Sequence, residues 1–385
     1  MIYLDEASTA KYKATDDIVV DAITKAMKDS WTNPSALYAT NIKNTINECR
    51  ANVAKFIGAE PNEIYFTSGA TESNNWAIRG WDDEIWLNTY KKSNIITTPI
   101  EHKSIMAMLE DGNLGSTVYY CWVKESGLVD YTFLERMLSS RKYKNEPTLV
   151  SIGMANNEIG VIQDIKAISD LVHKYNGILH VDATQVLPYM PIDVNMLGID
   201  MLSASGHKLS TVLKGVGFLY KRNGLNIQPL IYGNQEGSLR GGTENVFGII
   251  GLNRAIEVSD ITYGRFDEMC CKRDYFLNLL ESKFDCRLNG HREHRLPNNI
   301  NVTFNQDITS ESLLYMLDMA DIKISVGSAC NSGSIKPSYV LKAIGLTDEE
   351  AARTVRFTLP NSITYEQIDY VVDEIDKTIK IMEMD

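Results

Sequence analysis

Among 385 residues there are only six cysteines, and none stands in a C-x-x-C pair. That spacing excludes a disulfide framework and a zinc ribbon. Cys49, Cys121, Cys270, Cys271, Cys286 and Cys330 read as free thiols of a reducing compartment. The six histidines are scattered, and His291-x-x-His294 lacks a cysteine or carboxylate pair to complete a ligand set, so no metal is expected. No apolar run approaches the ~18 residues of a membrane span. Met1-Ile-Tyr-Leu-Asp-Glu6 carries neither the basic nor the apolar region of a leader, and the expected location is the cytoplasm. Positive charge is in deficit: 38 Lys+Arg against 50 Asp+Glu leave a net charge of −12. Such a balance opposes attraction to nucleic-acid phosphates and anionic lipid, leaving small molecules and proteins as partners. Neither a Walker lysine nor a G-x-G-x-x-G occurs, which disfavours the nucleotide-binding loops.

What is present is length enough for two or three compact units and a regular alternation of element types. Short β-rich runs recur at Glu63–Thr67, Asn94–Thr98, Thr148–Ile152, Ile178–Val181, Asp200–Ser203 and Gly217–Tyr220. Between them lie segments of helical period, such as Ile165, Ile168, Leu171, Val172 and Tyr175. Strands alternating with helices predict βαβ units and a large open α/β domain whose mainly parallel sheet is covered by those apolar helix faces. From Thr243 a long helical stretch is expected to run toward Cys286. Runs at 299–304, 322–326 and 354–358, with helices near 337–344 and 364–382, then read as a smaller α+β unit. The expected division is an N-terminal segment 1–15 joining the small domain, a large domain 16–255 and a small domain 256–385. No internal repeat, low-complexity tract or disordered linker interrupts it.

In open α/β sheets ligands bind beyond the carboxyl ends of the strands, and four segments there carry chemistry. Thr67-Ser-Gly-Ala-Thr-Glu-Ser73 joins a strand to a helix, where free amides would cup a phosphate, or where Ser68 merely caps the helix. In His180-Val-Asp-Ala-Thr-Gln185 the alternation sets His180 and Asp182 on one face. Asp182 could hold a protonated ring nitrogen or form a capping box with Gln185. Ser203-Ala-Ser-Gly-His-Lys208 offers a lysine that desolvation could convert into a Schiff-base amine, unless it is simply solvated. Schiff-base lysine, acid and phosphate cup are the three requirements of pyridoxal phosphate. Ser325 to Ser334 surrounds Cys330 with small residues, leaving its thiol unshielded as a delivered nucleophile requires, whereas the usual free cysteine is a buried hydrophobe.

Taken together, Thr67–Asn74, Glu101-His102, Asn156-Asn-Glu-Ile-Gly160, Asp182–Gln185, Ser205-Gly-His-Lys208, Arg240-Gly-Gly-Thr243 and Gly327-Ser-Ala-Cys-Asn-Ser-Gly333 resemble the cysteine desulfurase family. These are fold-type I, class-V aminotransferase-like pyridoxal phosphate enzymes, and the cysteine loop is similar to that of their long-loop group. The resemblance implies that Lys208 carries the cofactor, Asp182 pairs with its pyridinium nitrogen and Gln185 contacts its phenolic oxygen. His102 would stack on the ring and transfer protons. Ala70, Thr71, Ser205 and His207 would hold the phosphate, with Thr243 reaching it from the other subunit of a homodimer. Asn157 and Arg356 would grip the substrate carboxylate, Asn157 also lying at the cofactor. L-cysteine would yield L-alanine and a persulfide on Cys330, destined for a sulfur-acceptor protein of an iron-sulfur or thiolation pathway. The segments 36–40, 209–215, 232–236 and 360–361 depart from the family pattern. They keep a selenocysteine lyase, another class-V aminotransferase or lyase, and a non-catalytic sulfur carrier in view.

Overall fold

The computed structural model describes residues 1–90, 92–140, 146–259, 264–306, 308–326 and 337–382. Its first strands are β1 (Ile2–Tyr3), β2 (Ile64–Thr67), β3 (Asn94–Thr97), β4 (Thr117–Tyr120), β5 (Thr148–Gly153), β6 (Ile178–Asp182), β7 (Met201–Ser205) and β8 (Gly217–Lys221). Among the described residues, β2 to β8 form one sheet in the order β2-β8-β7-β6-β5-β3-β4. β8 alone runs against the others, being antiparallel to both β2 and β7. The remaining pairs are parallel, as the alternation of strands and helices predicts.

Neighbouring residues of each strand go to opposite faces. Ile96, Val150, Leu179, Leu202 and Phe218 point into a core shared with the helices Thr40–Phe56, Ile165–Lys174 and Val246–Glu257. Their neighbours Ile95, Leu149, Met201 and Leu219 meet Trp76, Ile78 and Trp81 of the helix Ala70–Thr89. Buried on both faces, these strands read as continuous apolar runs. β4 escapes that rule: Thr117 and Tyr120 of this edge strand are exposed, and its sequence, Thr-Val-Tyr-Tyr, carries no such run.

A second core gathers the later elements: β9 (Cys286–Leu288), β10 (Asn299–Phe304), β11 (Ile322–Lys323), β12 (Ser325–Val326) and β13 (Thr354–Thr358), with helices Phe266–Lys283, Ser310–Met319 and Tyr365–Met382. Two expectations are corrected here. The run 322–326 is not one strand: β11 pairs in parallel with β1, whereas β12 pairs antiparallel with β13, because the chain changes partners at Ile324. Among the described residues, the stretch from Thr243 to Cys286 holds two separate helices, Val246–Glu257 and Phe266–Lys283. Val246, Ile249 and Leu252 belong to the first core and Phe276, Leu277 and Leu280 to the second, and one rod cannot serve both. The first residues of the chain lie with the second core, where Leu4 is fully buried and the Ala7 amide donates to Thr358 Oγ1 at 2.9 Å. No helix among the described residues is long and apolar enough to cross a membrane.

Candidate active site

Because β2, β3, β5, β6 and β7 all point the same way, their carboxyl ends meet at one rim, and a cavity of about 550 Å³ opens there. Ala70, Thr71, His102, Asn157, Asp182, Gln185, Ser205, His207, Lys208 and Arg356 all line it. Thr243 is exposed and does not line this cavity. Cys330 lies outside the described residues.

The turn after β2 leaves the start of a long helix open. Gly69 enters it with φ +148°, a conformation that side chains with a Cβ rarely adopt. The missing side chain of Gly217 lets β8 approach this turn: a Cβ there would stand 2.7 Å from Gly69 Cα. The N-cap is Gly69 and no side chain caps the helix, so the capping role weighed for Ser68 is not taken up. The Ser68 amide is instead bound by Glu72 Oε2 at 2.7 Å, and Glu72 is paired with Arg240 at 2.8 Å. The amides of Ala70 and Thr71 have no acceptor among the described residues, as an anion cup requires.

No helix follows Asp182, so the alternative capping box with Gln185 is absent. Asp182 Oδ1 accepts the Thr184 amide at 3.0 Å and Oδ2 accepts Asn74 Nδ2 at 2.7 Å. Gln185 reaches across to the carbonyl of Ala7, 3.3 Å away. His180, two residues earlier on the same face, stays fully buried between Ser151 and Ser203, bonded to each hydroxyl at 2.8 and 2.9 Å. Burial holds its pKa well below the usual range.

Lys208 donates to the carbonyls of Ala7 and Ser8 at 2.6 and 2.8 Å. Burial, then the charge of Arg356, lowers its pKa to about 8, although Asp5, Glu6 and Asp182 act the other way. His207 bonds Ser205 Oγ through Nδ1 at 2.7 Å. Burial, helped by Lys208, Lys214 and His102, brings its pKa down to about 4, which leaves the ring neutral at pH 7. His102 caps the helix Lys103–Glu110. Its ring has an accessible side, yet it stands deep enough among protein atoms that lost hydration lowers its pKa. Beside it Glu101 is buried, accepts Thr98 Oγ1 at 2.5 Å and the Gly153 amide at 2.7 Å, and is pushed by burial to about 8.

Arg356, on β13, enters from the second core. It donates to Asn157 O at 3.0 Å, to Asp5 Oδ1 at 2.6 Å and to Ser8 Oγ at 2.8 Å, while its buried Nε has no partner among the described residues. The contacts made by the segment Asp5–Thr9 are the part of the site that sequence reasoning did not assign. Its backbone carbonyls hold Lys208 and its Asp5 carboxylate holds Arg356, and a carbonyl leaves no mark on the side-chain pattern.

Residues 2–371 match the family model described as Aminotransferase class-V. The cysteine desulfurase IscS of Dictyoglomus turgidum is 40% identical over 387 aligned residues, which cover 98% of this chain and 94% of that protein. A solved NifS-like protein superposes with a TM-score of 0.87 at 30% identity, covering 99% of both chains. SspA, solved in complex with cysteine, superposes with a TM-score of 0.78 at 33% identity over 94% of this chain and all of that one.

Proposed function

This chain belongs to the class-V aminotransferase family, and from that premise we propose that it is a cytoplasmic, pyridoxal-phosphate-dependent cysteine desulfurase. L-cysteine and the Cys330 thiol would be converted into L-alanine and a Cys330 persulfide, whose outer sulfur passes to an acceptor protein. The observation that carries this reading is the meeting, in one cavity, of a desolvated lysine amine, a strand-end carboxylate and a helix start with free amides.

The donor set fits the cofactor. Ala70 and Thr71 amides, Ser205 and neutral His207 would hold its phosphate by hydrogen bonds, Asp182 its ring nitrogen, Gln185 its phenolic oxygen and Lys208 its aldehyde carbon, with the His102 ring against its face. When bound, the group supplies the electron sink that lowers the cost of removing a proton from the substrate's Cα. The chain's own residues do the rest. Arg356 offers a guanidinium whose fork suits a carboxylate, and Asn157 stands at its side. Lys208, with a pKa of about 8, is near the ambient pH at which an amine exchanges protons effectively. Asp182 is kept in place by Asn74 and the Thr184 amide. Thr243 would serve the cavity of the other subunit in a homodimer. Its exposure, and that of Trp31, Leu37 and Tyr38 at 74%, 95% and 79%, supports a contact between copies.

The test is an absorbance spectrum of the purified protein before and after L-cysteine, with alanine and sulfide assayed from the same tube. A near-visible cofactor band that shifts with cysteine, and products that vanish in C330A while the band remains, are the expected results. Products that do not need Cys330 would move the activity to another amino acid substrate, and no band after reconstitution would remove the cofactor from the reading.

A further inference from the structure

The two ring nitrogens of His102 have unequal surroundings. Nδ1 accepts the backbone amide of Ser104 at 3.2 Å and stands 2.9 Å from Ser104 Oγ. Nε2 has no hydrogen-bond partner among the described residues, and the ring lines the cavity. The direction of the Ser104 hydroxyl is set from behind. Asn74 Nδ2 donates to Ser104 Oγ at 2.9 Å and to Asp182 Oδ2 at 2.7 Å. Its amide cannot turn over, because that would aim Oδ1 at the Asp182 carboxylate. With both Nδ2 hydrogens committed, Ser104 Oγ is an acceptor from Asn74 and its own proton is free to go to Nδ1. Asn74 is fully buried, and its Oδ1 has no partner among the described residues. The orientation is therefore kept despite an unsatisfied acceptor, which ordinarily costs ~1–3 kcal/mol.

We propose that Ser104, braced by Asn74, is a positioning residue that holds His102 as its neutral Nε2–H tautomer, so that the cavity meets an N–H donor there and not a base. Two donors on Nδ1 leave no room for a proton on that nitrogen. Proton acceptance inside the cavity then falls to Lys208. The consequence for catalysis rests on the desulfurase reading; the tautomer itself does not. The charged groups that face the ring pull in both directions: Asp182 from β6 favours the cation, and Lys208 and Lys103 oppose it, with His207 also within electrostatic reach.

The experiment is long-range proton–nitrogen correlation spectroscopy on [15N]histidine-labelled protein, both cofactor-free and loaded with pyridoxal phosphate, using H102N to assign the signals. At pH 8 the His102 Nδ1 signal is expected in the unprotonated range and Nε2 in the protonated range. S104A should add the second tautomer and raise the pKa of His102 by about half to one unit, the worth of one hydrogen bond to the neutral form. S104T should restore the wild-type spectrum. A wild-type spectrum with Nδ1 protonated overturns the proposal whether or not the variants fold, and so does an S104A spectrum identical to wild type. Failure to release alanine with the Nε2–H tautomer present would instead overturn the desulfurase reading and leave this one standing.

Discussion

Lys208 and Glu101 both have pKa values near 8, reached from opposite directions by the same burial. For Lys208 the reactive form is the neutral amine, so cofactor uptake should accelerate as pH rises through about 8 and level off above it. Asp5 helps keep the ammonium charged; D5N should therefore move the rise to lower pH, read as the rate of appearance of the cofactor band. For Glu101 the consequence falls on stability. Folded, it keeps its proton up to about pH 8, and unfolded it ionises near 4.5. Between those values the native state binds more protons than the unfolded one, so its contribution to stability falls as pH rises. E101Q cannot titrate, and the gap in Tm between pH 5 and pH 8 should narrow in it. Lys208 and Asp182 were legible in the sequence because each stands at or just past the carboxyl end of a strand, and His102 through the family resemblance alone. Ser104, Asn74 and Asp5 were not. Their partners lie 30, 108 and 351 residues away in sequence, and no local pattern encodes a contact across that distance.

At the scale of elements, legibility followed burial. The strands covered on both faces announced themselves as short apolar runs, and the helices covering them as periodic stripes. β4 at the sheet edge and the short β9 carried too few apolar residues to be read, and β11 and β12 merged into one run because a change of partner leaves no sign in the side chains. One close fit between elements is where β8 meets β7 and the turn after β2: a Cβ on Gly217 would stand 2.4 Å from Ala204 O and 2.7 Å from Gly69 Cα. G217A would drive a Cβ against the Gly69 backbone, which should lower stability by ~1–3 kcal/mol, as overpacking does. Since that turn presents the Ala70 and Thr71 amides, the same variant should also bind pyridoxal phosphate more weakly. Thermal melts with and without the cofactor separate the two effects.

For the molecule as a whole, Arg356 joins the two cores at the cavity, rooted in the β9–β13 region and bonded to Asn157, beyond β5 of the large sheet. R356A should raise KM for L-cysteine about 30- to 150-fold, corresponding to ~2–3 kcal/mol for a charge-assisted bidentate contact, while leaving the cofactor band in place. R356K should not restore it, because an ammonium has no fork. Steady-state kinetics and the absorbance spectrum measure these together. The alternation of strands and helices revealed the mainly parallel sheet from sequence, but not the contacts of residues 5–9, whose anchor Thr358 stands far along the chain.

That order has a consequence in time. The Ala7 amide finds its acceptor on Thr358, 351 residues downstream, and at ~5–20 residues per second of synthesis the wait between the two is about 20–70 s. Until then the segment Asp5–Thr9 lacks the strand that anchors it, so the two carbonyls that hold Lys208 are not yet fixed in place, and Arg356 does not yet exist. A nascent chain stopped short of β13 would thus present an open lysine to any aldehyde in its surroundings.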